Sequence, residues 1–397
     1  MHRPDPGSLT PGSGEQTRLP FVLMRGGTSK AVFLRGNALP TDGEARDAVI
    51  LSLFGSPDPR QVDGLGGADL LTSKLAIIDP PSRSDADLDY TFAQVSITEA
   101  VVDYDINCGN ISAAVGAYAV DEALVDVKEP VTNVRIHNTN TGRILEAEIS
   151  VVDGAAAIEG DYPVHGVPGT GAPIGLDFGQ TAGGITGALL PSGNERDRLD
   201  TAIGPVDVTI IDLANLTVFV SAAAVVMTGT EGPEQFSDEH LAAVTAVKEA
   251  AAKLLGMATD GLTPVPAIVS PPAPYASYAT GDRVAAEDVD VVARVVGGRP
   301  PVLHKAYPGT LAACTGVAAC IPGTTVHEVT RQDRTAERAE DEIRIGHTSG
   351  VMPVWARVVR EGDVWRADRA VYHRTARRLA EGTAFVRLSA IPATERG

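Results

Sequence analysis

Apolar residues recur along the chain in short runs rich in Val, Ile, Phe and Thr, each closed by Gly, Pro or Asp. Such runs predict strands with turns between them. They begin at Phe21 (FVLM), Ala31 (AVFL), Leu75 (LAII) and Thr91 (TFAQVSI) in the first half. Asp207 (DVTII), Leu216 (LTVFV), Glu342 (EIRI) and Val351 (VMPVWARVV) follow in the second.

Helical spacing is rarer. Thr41-Asp42-Gly43-Glu44 reads as a capping box before a helix from Arg46 to Phe54 that Gly55 stops. Ser237 caps a second, Asp238 to Leu255, with Leu241, Val244, Lys248, Ala251 and Leu255 along one side and Gly256 at its end. Two further helices are small-residue and apolar all round. One follows Cys108-Gly109-Asn110 (ISAAVGAYAVDEALV), the other Pro308-Gly309-Thr310 (LAACTGVAACIPG). They align with Gly109 on Gly309 and Gly116 on Gly316, and a helix apolar on every face must be enclosed by protein. Two Ala-rich core helices by coincidence would read the same way. The alternative is a duplication: an α+β chain of two similar domains, each a curled sheet around a central helix. Each helix would then begin at a Gly turn, its free N–H groups and positive dipole end facing one shared cleft. The loops at Pro80, Ser270 and Thr330 are polar or Pro-rich and carry no assigned chemistry.

Length and composition narrow this picture. At 397 residues, about two to three domains are expected. The net charge of −18 argues against nucleic acid and against anionic membrane surfaces as partners. An anionic substrate is still compatible if its site is locally positive. Three cysteines, Cys108, Cys314 and Cys320, are too few and odd in number for a disulfide framework, and read as reduced thiols of a cytoplasmic protein. No unbroken apolar run is long enough to span a bilayer, and residues 1–18 read as a flexible tail.

Four short segments carry candidate chemistry. In Arg25-Gly26-Gly27-Thr28-Ser29-Lys30 two glycines let backbone approach a ligand, and Arg25, Thr28 and Ser29 can donate to a carboxylate; a tight hairpin fits equally. It lacks the spacing of a phosphate loop. Lys74 follows a Gly-rich stretch and Ser73 and opens an apolar strand. It is either a solvated strand-edge lysine or a partly desolvated amine suited to act as a base. Cys108 sits at the start of a buried helix, where N–H groups favour a thiolate; a structural cysteine is the alternative. Cys314 and Cys320 lie inside the second helix and read as core. His347-Thr348-Ser349-Gly350 is a polar turn between strands, a candidate carboxylate loop through His347 and Ser349. No histidine or cysteine spacing suits a metal, and no nucleotide fingerprint occurs, so neither metal nor cofactor is expected.

Taken together, MRGGTSKAVFL, GSPDPRQVDGLGGADLLTSKLAII, DYTFAQVSITEAVVDYDINCGNISAAVGAYAV, IPGTTV, IGHTSGVMPV and RTARRLAEG resemble the PrpF family, of the diaminopimelate-epimerase-like fold, in family order from about residue 20 onward. The resemblance implies two diaminopimelate-epimerase-like domains, each a mostly antiparallel β-barrel around a helix, with the site between them. Their expected bounds are residues 19–185 with 372–397, and residues 186–371. Family members isomerise unsaturated polycarboxylates: 2-methylaconitate cis-trans isomerase, 4-oxalomesaconate tautomerase and methylitaconate-type Δ-isomerases. The family's lysine falls on Lys74 and its cysteine on Cys108.

Two departures stand out. Leu216 follows Asn215 where the family usually has Asn-Pro, and the second helix mouth is Gly309-Thr310-Leu311 without the second thiol that a two-thiol racemase of this fold uses. A small anionic polycarboxylate is thus the expected partner, with the 4-oxalomesaconate reaction first and the other two as alternatives. An epimerase or a non-catalytic relative is the alternative of another kind. A homodimer is kept open, since no residue encodes assembly. Lys74 would move an allylic proton with Cys108 as partner acid or shaping group. N–H groups of Gly109, Asn110, Ile111, Thr310 and Leu311 would stabilise the oxyanions. Arg25, Thr28, Ser29, Ser73, Gly309, His347 and Ser349 complete the expected substrate contacts.

Overall fold

A computed structural model describes residues 10–11, 14–104, 108–164, 166–298, 301–332 and 342–390. It is a mixed α/β architecture dominated by sheet, with few helices. The chain divides into two compact units, Met1–Gly175 with Arg374–Gly397, and Leu176–His373.

In the first unit β1 (Gln16–Gly26) turns back antiparallel into β2 (Ser29–Arg35). Helix α1 (Gly43–Phe54) leads to β3 (Lys74–Asp79), parallel to β2, and β4 (Leu88–Val95) runs antiparallel to β3. Helix α2 (Gly109–Asp121) leads to β5 (Val131–Asn138), parallel to β4, and β6 (Arg143–Val152) returns antiparallel. The C-terminal strand Ala376–Arg387 pairs antiparallel with β1. Each parallel pairing is bridged by a helix, because parallel neighbours need a crossover.

Side chains alternate across these strands. Val32, Leu34, Leu75, Ile77, Ala93 and Val95 pack on Val49, Ile50, Leu53 and Phe54 of α1. The opposite face meets α2, where Phe33 and Tyr118 lie with ring centroids 5.2 Å apart. Ile111 to Val120 are all buried, as an apolar-all-round helix requires. At Gly116 a Cβ would come within 2.7 Å of Ile149 and 2.9 Å of Ala147 on β6. Only glycine lets the helix lie that close.

The second unit holds β7 (Asp197–Thr201), β8 (Gly204–Leu213), β9 (Asn215–Ser221), α3 (Asp238–Leu254), β10 (Val265–Ser270) and β11 (Val291–Gly297). These are followed by α4 (Gly309–Cys320), α5 (Thr325–Val329), β12 (Glu342–His347), β13 (Gly350–Glu361) and β14 (Val364–Arg374), whose last residue already counts with the first unit. From β8 the pairing runs antiparallel to β9, parallel to β10 across α3, antiparallel to β11, parallel to β12 across α4, and antiparallel to β13. That is the succession β1 to β6 follows in the first unit. Gly316 also repeats the role of Gly116, since a Cβ there would lie 2.8 Å from Val354 on β13.

Two details differ from expectation. Asp42, not Thr41, caps α1, its carboxylate accepting from Ala45 N at 2.9 Å, because the helix starts at Gly43. Residues 16–18, expected in the tail, already belong to β1. Their partners Arg387 to Phe385 come from the far end of the chain, where local pattern gives no warning. Residues 333–341 of the loop at Thr330 lie outside the described residues. Among those described, no helix is long and apolar enough to cross a membrane.

Candidate active site

Lys74 opens β3, and register decides which way it points. Met24 pairs with Ala31, Ala31 with Lys74, and Lys74 with Gln94, so all four side chains share one face. This is the face that meets α2. Although lysine is normally solvated, Lys74 is only 7% exposed. Its Nζ donates to Gln94 Oε1 at 2.7 Å and stands 5.1 Å from the centroid of the Phe92 ring. The edge-lysine alternative is thereby set aside on geometry.

The β1–β2 turn meets the start of α2. A Cβ on Gly26 would lie 2.3 Å from the Asn110 carbonyl oxygen, and one on Gly27 2.3 Å from Asn110 Oδ1. Both glycines are therefore demanded by close approach, and Gly27 also has a φ of +49°. Asn110 Nδ2 donates to Thr28 Oγ1 at 3.0 Å and reaches Ser29 Oγ at 3.4 Å, while its Oδ1 accepts from Arg374 Nε at 3.0 Å. Cys108 is the residue before the helix, half-buried, with extended backbone. Its carbonyl accepts from Ser112 N, the first turn of the helix, so the N–H groups of Gly109, Asn110 and Ile111 have no acceptor within the helix. Asn107 lies outside the described residues. The helix start thus joins Thr28, Ser29, Cys108, Asn110 and a guanidinium at one end of the face that carries Lys74.

Other expected contacts are placed differently. Arg25 pairs with Lys30 and Arg377, on the face opposite Lys74. Its Nη1 donates to the carbonyls of Gly27 (3.0 Å) and Thr375 (2.9 Å), stapling the turn. Burial, with help from nearby Arg377, lowers its pKa from the usual arginine value. Ser73 is fully buried and donates to Gln61 Oε1 at 2.6 Å, which also accepts from Ala68 N. It braces the Gly-rich loop.

In the second unit α4 starts at Gly309, with Thr310 and Leu311 in its first turn. A Cβ on Gly309 would sit 2.3 Å from the Tyr372 ring, which stacks on Phe178. Asn215 Nδ2 donates to Thr310 Oγ1 at 2.5 Å. This repeats the first unit's contact with the roles exchanged: there the asparagine is on the helix and the hydroxyls are on the turn. Cys314 is fully buried a turn further in, and burial pushes its thiol up to about 12, which fits a core thiol. His347 is buried, and its Nδ1 accepts from Ser349 N at 3.2 Å. Ser349 Oγ donates to the Lys305 carbonyl and Thr348 Oγ1 to that of His304. This turn clamps the segment leading into α4. Asn140 of the first unit does the same for the segment before α2, donating to the carbonyls of Phe92 and Tyr104.

Gln94, Asn215 and Arg374 were not among the expected contacts. Gln94 becomes visible only through register. Asn215 was marked by its departure from Asn-Pro, and Arg374 opens the RTARRLAEG stretch.

The model of the family described as PrpF protein matches residues 16–387. The chain belongs to the PrpF family. This PrpF-family chain is 51% identical over 382 residues to a 3-methylitaconate isomerase of Eubacterium barkeri, covering 94% of this chain and 98% of that one. It is 38% identical to a 2-methyl-aconitate isomerase of Shewanella oneidensis, over 94% and 97% of the two chains. A solved structure of methylitaconate-delta-isomerase superimposes with a TM-score of 0.88 at 49% identity, covering 96% of this chain and 99% of that one.

Proposed function

We propose that this PrpF-family chain is a Δ-isomerase of a small unsaturated dicarboxylate, of the methylitaconate type, with Lys74 as the base. The observation that carries it is the Lys74 amine, 7% exposed and held at 2.7 Å by Gln94, on the face of the sheet that meets the start of α2. Identity to the methylitaconate enzymes supports that substrate ahead of 4-oxalomesaconate, which the sequence alone put first. 2-Methylaconitate is the second reading, supported by the Shewanella relative.

In 3-methylitaconate a terminal methylene and a carboxylate share one carbon, and the neighbouring carbon carries a proton, a methyl group and the second carboxylate. The Lys74 amine takes that proton on its nitrogen lone pair, giving a dienolate whose charge spreads onto carboxylate oxygens. The ammonium returns a proton to the terminal methylene carbon, which becomes a methyl group. The double bond now joins the two carboxylated carbons, and no atom is gained or lost. N–H groups of Gly109, Asn110 and Ile111 hold the developing oxyanion, each such donor typically worth about 3–4 kcal/mol. Arg374, Thr28 and Ser29 supply local donors against the overall charge of −18. Cys108 shapes the site or carries a proton as partner acid.

We also read the two units as duplicated barrel-like domains, each enclosing its buried helix. The repeated pairing order and the paired roles of Gly116 and Gly316 support this. The functional test is incubation with 3-methylitaconate, 2-methylaconitate and 4-oxalomesaconate separately in D2O, followed by NMR. Double-bond migration with deuterium entry, fastest for 3-methylitaconate, is expected. Exchange of an α-proton without migration would point to an epimerase instead, and no exchange on any of the three would overturn the reading.

A further inference from the structure

The side chain facing Lys74 is an amide whose orientation the backbone decides. Gln94 Nε2 donates to the carbonyls of Ser73 at 2.9 Å and Leu70 at 3.2 Å. With the nitrogen committed to two acceptors, Oε1 is the atom turned to Lys74 Nζ, and a flipped amide would set oxygen against two carbonyl oxygens. The Ser73 carbonyl is itself fixed, since it also accepts from Val95 N at 3.0 Å. Leu70 belongs to the exposed tip of the Gly-rich loop and is itself 64% exposed. The floor of that loop is fastened elsewhere: Gln61, 1% exposed, accepts from Ala68 N and Ser73 Oγ and donates to Ser56 Oγ at 2.8 Å. Gln94 is therefore the link between the loop tip and the amine.

We infer that Gln94 is a positioning residue that ties the Gly-rich loop to the Lys74 amine and fixes where that amine points. The inference rests on the reading of Lys74 as the base and deepens it. One N–H of the amine is taken by Gln94 Oε1, and the ring of Phe92 lies beneath, so the remaining positions on nitrogen face away from both. Displacing the loop tip removes one of the two acceptors that orient the amide.

Two variants and two readouts test this. Gln94→Met keeps side-chain volume and removes every hydrogen bond. Gln94→Glu keeps an oxygen toward Lys74 and replaces the donor nitrogen. With 3-methylitaconate, Gln94→Met is expected to lower kcat about 100-fold with KM nearly unchanged, as expected for a displaced reacting group. The second readout needs no substrate: trace acetylation by acetic anhydride, with Lys74 compared to exposed Lys253 by peptide mass spectrometry. Losing the acceptor disfavours the ammonium, so Lys74 labels severalfold faster in Gln94→Met. A carboxylate favours the ammonium, so it labels more slowly in Gln94→Glu. A general packing defect would not move the two variants in opposite directions.

Equal labelling of Lys74 in wild type and both variants overturns the inference, as does an unchanged kcat in Gln94→Met. Should Gln94→Met not fold, the slower labelling in Gln94→Glu decides alone. Lys74→Met run alongside separates the two ideas. If that variant stays active, the base reading fails while the labelling contrast still judges Gln94. If it is inactive and Gln94→Met is normal, only the positioning role fails.

Discussion

Gly26→Ala is a one-carbon perturbation aimed at the junction between turn and helix. The added Cβ would lie 2.3 Å from the Asn110 carbonyl oxygen and 3.1 Å from Ala114 Cβ. A carbon–oxygen contact relaxes at about 3.3 Å, so roughly 1 Å must be found. The obstacle is helix backbone, and a flexible side chain cannot absorb it. Gly26 does not have a positive φ, so the effect is steric and not backbone strain. Moving the helix start by that distance stretches the 3.0 Å bond from Asn110 to Thr28 beyond hydrogen-bonding range. Overpacking of this kind costs about 1–3 kcal/mol. A displacement of about 1 Å near reacting groups costs about 100-fold in rate. The assay is thermal unfolding plus kcat/KM, with Gly43→Ala as control, because nothing lies within 4 Å of a Cβ there. Gly26→Ala should lose both stability and activity while Gly43→Ala loses neither. Wild-type activity in Gly26→Ala would refute the claim that turn and helix start form one site.

Cys108→Ser should retain measurable turnover, reduced about 100-fold, within the range typical of a supporting proton-transfer group; loss as complete as that of the lysine variant would make the thiol an equal partner in the chemistry. Arg374→Met should raise KM about tenfold with a smaller change in kcat, the loss of one charged hydrogen bond to substrate or to Asn110; an unchanged KM would remove the guanidinium from the site. Glu231 is 8% exposed and accepts from Thr228 N (2.6 Å), Thr228 Oγ1 (2.8 Å) and Gly229 N (2.8 Å). Burial pushes its carboxyl up, but these hydrogen bonds outweigh burial and leave it below 4.5. A folded value below the unfolded one gives stability that is present above about pH 4.5 and lost as pH falls through the folded value. Glu231→Gln should therefore destabilise at pH 7, by about 1.5–3 kcal/mol, and the gap in melting temperature should close as pH falls through the folded value; a gap independent of pH would contradict this.

The strands were legible because Val, Ile and Phe runs closed by Gly and Pro have a local cause, and so were α2 and α4. A helix such as ISAAVGAYAV has no solvent face and can only be enclosed. The Gly116–Gly316 match pointed to a duplication, since a glycine inside a helix is costly and is kept where a strand packs too close for a Cβ. What escaped were facts of register and distant pairing. Arg25 and Lys74 both sit beside Gly-rich stretches, yet the pairing of β1, β2 and β3 sends them to opposite faces. Ser73 and Ser349 look like free hydroxyls in sequence, but each is spent on a partner, Gln61 Oε1 or the Lys305 carbonyl. Gln94 lies twenty residues from Lys74 and Arg374 far beyond Asn110, and no local spacing announces either.

Lys74→Met bears most directly on the reaction proposed. The measurement is NMR of 3-methylitaconate in D2O with wild-type and Lys74→Met protein, alongside a binding titration with the same compound. Wild type should move the double bond and take up deuterium. The variant should bind the compound but do neither, with turnover down by about 10⁴-fold, the upper end for a general base. Migration and exchange at near wild-type rate in Lys74→Met would contradict the assignment of the base.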